Sequence, residues 1–211
     1  MNIQEMHQAF RVFGQQMGMQ LIRAILPEEI DEYLNASIID KVRELILNNV
    51  NETFNDRISV QNNPVSPINY LRTLYKIEEY ALNGTVIDLP KDAMHFTSFA
   101  IRYQNDDKSY NCRLIEPDKL ENTLNDFCNG ASYEYPICTT YYNGSTEVVR
   151  VYSGNINPTI ILIKYISNPV RVSLFDDISC DLPEYTHNEI VQLAVNKYFV
   201  SLGSTSHSIN Q

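Results

Sequence analysis

The chain has 211 residues, 44% of them hydrophobic, enough for one domain or two small ones with a buried core. Its 26 acidic residues against 16 basic ones give a formal charge of -10, and no lysine or arginine cluster is present to neutralise phosphates, which argues against direct nucleic-acid binding. No stretch approaches the roughly 20 apolar residues of a membrane span, and MNIQEMHQAF lacks the basic-then-apolar order of a signal peptide, so the expectation is a soluble protein made in a cytoplasm.

Along the chain, Met6, Phe10, Phe13, Met17, Leu21 and Ile25 recur at steps of three and four, which predicts a helix over 3–26 with one buried face. Gly14 and Gly18 lie inside it and each weakens an isolated helix by about 1 kcal/mol, so packing must hold the segment, with a partner surface as one candidate. Pro27, Glu28 and Glu29 then suit a helix start, and a second face runs Ile30, Leu34, Ile38, Val42, Leu45 and Val50. QNNPVSP (61–67) reads as loop, and 69–82 as a third helix ended by Asn83 and Gly84.

After residue 83 the period changes to two. Short β-rich runs at 95–103, 109–115, 135–142, 146–152, 159–166 and 170–175 are separated by turn residues, and Asn143-Gly144 is a strong hairpin signal. They predict a central antiparallel meander, with a short helix over 116–127 beginning near Pro117. The strands at 137–142 and 146–152 offer an edge to a partner, or an edge capped by charge.

The last ordered stretch, CDLPEYTHNEIVQLAVNKYFVSL, holds Cys180, His187 and Glu189, residue types that ligate zinc or run acid/base chemistry. Thr186 followed by Glu189 has the spacing of a capping box, and Ile190, Val191, Ala194, Val195, Tyr198 and Leu202 form a stripe at helical spacing that Gly203 ends. A Cys and a His seven apart across a proline match no metal spacing, so this stretch reads as a capped amphipathic helix.

Chemistry-bearing motifs are otherwise sparse. Cys112, Cys128, Cys138 and Cys180 form no CxxC pair and read as reduced thiols, mostly buried. His7 and His95 have no HxH or HExxH context, Asp176 with Asp177 reads as a solvated loop pair, and no GxSxG, Walker-type loop or GxGxxG occurs. The four Asn-x-Ser/Thr triplets, at Asn35, Asn51, Asn83 and Asn143, are discounted without a secretion signal. Fourteen tyrosines are present, four of them in SYEYPICTTYY (132–142). Tyr133, Tyr135, Tyr141 and Tyr142 suit either a half-exposed sheet face or subunit contacts.

The order of segments is similar to that of small virion proteins of tailed phages, in particular the connector and tail ring proteins of crAss-like phages of gut Bacteroidetes. The resemblance runs through MNIQEMHQAF, LPEEIDEYLNASIIDKV, IDLPKDAMHF, RLIEPDKLENTLNDF, YPICTTYY and ILIKYISNPVRVSL to the terminal helix. It implies a structural protein without enzymatic activity, cofactor or metal. The implied subunit belongs to a ring of twelve copies below the portal, contacting the portal protein and other connector or tail ring proteins by head-to-tail interfaces. Packaged double-stranded DNA would pass through such an acidic channel during ejection without specific binding.

The combined expectation is an α+β fold with N-terminal helices (1–83), a central antiparallel meander with a C-terminal amphipathic helix (84–202) and a flexible tail (203–211), all in one compact domain. The interface candidates are Phe10, Phe13, Met17, Leu21, Tyr133, Tyr135, Tyr141 and Tyr142; Thr186 and Glu189 are the helix cap. Two other roles are weighed: a tail terminator or fibre-attachment platform, and a soluble enzyme whose site assembles from Cys138, His95 and Asp177.

Overall fold

The computed structural model describes residues 1–18, 25–55, 70–82, 84–104 and 106–207, with side chains omitted over 48–55 and 203–207. The fold is α+β and divides into two compact units, one formed by Met1–Leu74 with Pro169–Gln211 and the other by Tyr75–Asn168. The first unit is therefore discontinuous, and the boundary expected near residue 83 is replaced by boundaries at 74/75 and 168/169. The expected loop at 61–67 and the last four residues lie outside the described residues.

In the discontinuous unit, α1 (Ile3–Gln16) starts on a reciprocal cap. The Asn2 side chain accepts from the Glu5 amide at 2.8 Å, and the Glu5 carboxylate accepts from the Asn2 amide at 2.9 Å. The helix ends ten residues earlier than its periodicity predicts: the Met17 amide bonds back to Phe13, and Gly18 turns the chain at φ 82°, a conformation glycine adopts without a Cβ penalty. α2 (Pro27–Asn55) begins at Pro27 as expected and buries Ile30, Leu34, Ile38, Val42 and Leu45.

The terminal helix, α4 (Glu184–His207), packs on both α1 and α2. Ile190, Val191, Ala194 and Val195 are buried, Tyr198 lies edge-on to Tyr33 at 5.3 Å, and the two hydroxyls of Tyr33 and Ser201 are 3.0 Å apart. α4 continues through Gly203 to His207, so neither the expected stop nor a flexible tail from 203 is observed. The run at 170–175 is not a strand. Its backbone groups bond instead to α2 side chains, with Asn35 satisfying both the amide and the carbonyl of Val172 and Asp31 accepting from the Leu174 amide. Only a Ser173–Ile178 bridge remains, closing a tight hairpin.

The second unit holds two four-stranded sheets rather than one meander. Its strands are β1 (Tyr75–Ala81), β2 (Val86–Asp88), β3 (Ala93–Arg102), β4 (Ser109–Asn111), β5 (Arg113–Leu114), β6 (Ile137–Tyr142), β7 (Glu147–Tyr152) and β8 (Ile160–Ser167). Their orders are β1-β8-β3-β4 and β2-β7-β6-β5, all pairs antiparallel except β5 with β6. The chain crosses between the sheets at both edges, from β1 to β2 and from β4 to β5 through the single residue Cys112. β7 is interior to its sheet, but β5 pairs only with Ile137 and Cys138 of β6, so among the described residues Thr139–Tyr142 have a strand partner on one side only. Phe99, Ile101, Ile161, Ile163 and Tyr165 of one sheet and Cys138, Val149 and Val151 of the other form the core.

The predicted third helix over 69–82 is β1, preceded by a turn at 70–74. Its seven residues all pair with β8, and those long-range bonds override the helix propensity of Lys76, Glu78, Glu79 and Ala81. The hairpin at Asn143-Gly144 forms as expected, with Gly144 at φ 96°. The predicted helix over 116–127 shortens to a 3-10 turn at Pro117–Lys119 and α3 (Leu120–Leu124). Among the described residues, no helix is long and apolar enough to cross a membrane.

Candidate functional site

The residues considered for an enzyme fall in different units, Cys138 and His95 in one and Asp177 in the other. Cys138 has no solvent exposure, and its thiol contacts Cys112, whose own ionisation that contact and burial push upward. His95 lies on β3, where burial pushes it below the usual imidazole range, and Asp177 belongs to the other unit. Among the described residues no group of three or more His, Cys, Asp or Glu is placed to hold a metal. Of the four free cysteines only Cys138 is fully buried; Cys112 and Cys180 are half-buried and Cys128 is exposed.

The terminal helix start also differs from its sequence reading. α4 begins at Glu184, so Thr186 sits in its first turn and donates its hydroxyl back to the Pro183 carbonyl at 2.7 Å rather than capping an amide. Glu189 points away from the helix start and pairs with Lys41 at 3.0 Å. His187 is buried and donates from Nε2 to the Leu182 carbonyl at 2.8 Å, a structural bond that fixes the segment before the helix. The capping box is at the other end of the chain, in Asn2-Ile-Gln-Glu5, where Asn replaces the Ser or Thr of the usual pattern.

The eight interface candidates separate by exposure. Phe10 is fully buried against Tyr198, with ring centroids 6.1 Å apart. Tyr133 is an internal support: it stacks on Tyr103 at 4.2 Å and meets Tyr110 edge-on at 5.0 Å. Asp106 accepts from the Tyr133 hydroxyl at 2.7 Å and the Tyr110 hydroxyl at 2.8 Å, bonds that hold its carboxyl below the usual carboxylate range. Tyr141 is half-buried under the Arg150 guanidinium, 5.9 Å from the ring centroid. Met17, Tyr135 and Tyr142 are exposed, Phe13 is half-buried, and Leu21 lies outside the described residues.

Two more exposed aromatics end the runs predicted as a helix over 116–127 and a strand at 170–175, and both lie in loops instead. Phe127 and Phe175 are 103% and 94% exposed, the most open large apolar side chains described. Both loops are braced from within. Behind Phe127, Asp126 accepts from the Cys128 amide at 2.8 Å and the Asn129 amide at 3.3 Å. Behind Phe175, Ser173 and Ile178 exchange backbone bonds of 3.1 and 2.9 Å, and Asp177 adopts φ 53°. The signal in the sequence is a phenylalanine set among turn formers, Asn-Asp-Phe-Cys-Asn-Gly and Leu-Phe-Asp-Asp.

The Phe175 hairpin is further tied to the helices. Asp31 on α2 accepts from the Leu174 amide at 3.0 Å with one carboxylate oxygen and from His7 Nε2 at 2.7 Å with the other. One carboxylate thus joins α1, α2 and the hairpin, and both ionisable partners are mostly buried. A rigid arm carrying an exposed ring is suited to docking rather than to chemistry, because its conformational entropy is lost on folding and not on binding. No protein-family model matches the chain, and no curated protein matches it in sequence.

Proposed function

We propose that this chain is an assembly subunit of a phage virion: a ring-forming component, without enzymatic activity, of the head-to-tail connector or tail of a crAss-like phage. Its neighbours would be further copies of itself, the portal protein and other connector or tail ring proteins. The observation that carries the assembly reading is the pair of braced, almost fully exposed phenylalanines, Phe127 and Phe175. Burying one such ring contributes about 1.5–3 kcal/mol, and aromatic anchors of this kind dominate interface energetics.

The order of sequence segments supports the phage assignment, and the formal charge of -10 suits a channel wall that DNA slides past. Native mass spectrometry of the purified full chain over a concentration series tests the reading. A closed oligomer of defined copy number is expected. A monomer at every concentration that carries a tightly bound metal or small molecule would turn the assignment towards an enzyme.

A further inference from the structure

Asparagine is followed by glycine at Asn83, Asn129 and Asn143. In that dipeptide a backbone amide attacks the preceding side chain most readily, because glycine has no Cβ to shield its nitrogen. Asn83 lies outside the described residues, and the fold gives the other two pairs opposite settings.

Asn143 and Gly144 are exposed at the tip of the β6–β7 hairpin. Asn143 Oδ1 accepts from the Ser145 amide at 3.2 Å, the Ser145 hydroxyl at 3.1 Å and the Thr146 amide at 3.2 Å. Backbone amides can only donate, so the oxygen and not the nitrogen of the side chain faces them. Donors converging on a carbonyl oxygen stabilise the charge that develops there when its carbon is attacked. Among the described residues neither the Gly144 amide nor Asn143 Nδ2 has a hydrogen-bond partner, and the space beside the Gly144 Cα is open. The electrophile is thus polarised while the nucleophile and the leaving group are free. At the second pair the Gly130 amide donates to the Asp126 carbonyl at 2.8 Å and Asn129 Nδ2 donates to the Asp126 carboxylate at 2.7 Å. A Cβ at Gly130 would lie 2.9 Å from that carbonyl oxygen, so this amide is both bonded and crowded by backbone.

We propose that Asn143 is a site of spontaneous deamidation through a cyclic imide, and that the fold protects Asn129 from the same reaction. The Gly144 nitrogen gives its proton to solvent base and bonds to Asn143 Cγ; the Cγ–Nδ2 bond breaks, and Nδ2 takes a proton from water and leaves as ammonia. Water then opens the imide at either carbonyl, leaving aspartate or isoaspartate at position 143. Both products add a negative charge to a turn where Thr146 already donates to Asp88 at 3.0 Å. Isoaspartate also lengthens the main chain between β6 and β7 by one methylene. The exposed Tyr142 shares this turn, its hydroxyl donating to the Ser145 carbonyl at 3.1 Å, so the modification alters the setting of an exposed aromatic.

Peptide mass spectrometry of the full chain, aged in mildly alkaline buffer with and without urea, tests the site, with isoaspartate read by enzymatic methyl labelling. In the folded protein, position 143 is expected to convert at least about tenfold faster than position 129, giving both aspartate and isoaspartate. In urea the two rates should converge, because the settings that distinguish them are gone. The proposal is overturned if Asn129 keeps pace with Asn143 in the folded protein, or if Asn143 keeps its amide there while both convert in urea. A tenfold gap that persists in urea traces the difference to neighbouring sequence and overturns the protection by the fold.

Discussion

Individual side chains in this protein are tuned by carboxylates more than by cations. Tyr80 is pushed up to about 12, first by burial and then by the hydrogen bond it gives Glu78. Tyr165 is pushed up for the same reasons, its hydroxyl lying 2.8 Å from Glu78 and 3.2 Å from Asp92. The sign of the linkage follows. A hydroxyl whose ionisation is raised by folding contributes stability that is complete below the unfolded value of about 10 and is lost as pH rises through the folded value. Stability is therefore expected to fall between about pH 10 and pH 12. The tyrosinate absorbance at 295 nm should lag in the native protein and appear in full on unfolding. Glu78→Gln removes the negative neighbour and should bring part of that lagging signal to lower pH; an unchanged titration would show that Glu78 does not set it.

Secondary-structure elements show which local signals are decisive. The Asn2–Glu5 capping box ties down the first turn of α1, and Asn2→Ala should cost about 1 kcal/mol in urea unfolding. Glu189→Ala loses only a half-exposed pair with Lys41 and should cost less than about 1 kcal/mol. If Glu189→Ala proved the costlier of the two, the cap would belong to α4 after all. The sequence pattern for Thr186–Glu189 misleads because α4 already begins at Glu184, two residues before Thr186.

The same contrast explains what else is legible. β6, β7 and β8 are rich in β-branched residues and bounded by turn formers, and they are found within two residues of their expected positions. β1 reads as helix because Lys-Ile-Glu-Glu-Tyr-Ala-Leu favours helix locally, and only pairing with β8, about 85 residues away, makes it a strand. The run at 170–175 has strand composition without a strand partner, because the side chains of Asn35 and Asp31 take the backbone bonds first. Phe127 and Phe175 end the runs that read as a helix (116–127) and a strand (170–175), so pattern assigns both to regular elements and their exposure is visible only once the loops are in place.

At the scale of the molecule, two compact units share one chain, the sheet unit being inserted between the second and last long helices of the other. The helical unit carries the Phe175 arm, and the sheet unit carries Phe127, Tyr135 and Tyr142. Each unit thus presents its own exposed aromatics, the arrangement expected of a subunit that must contact more than one neighbour. The measurement that tests this account most directly is cryo-electron microscopy of purified phage particles from the source of this sequence. The account expects density fitting this fold in a ring between portal and tail, with Phe127 and Phe175 covered by neighbouring subunits. Particles complete in portal and tail but lacking this chain would contradict it.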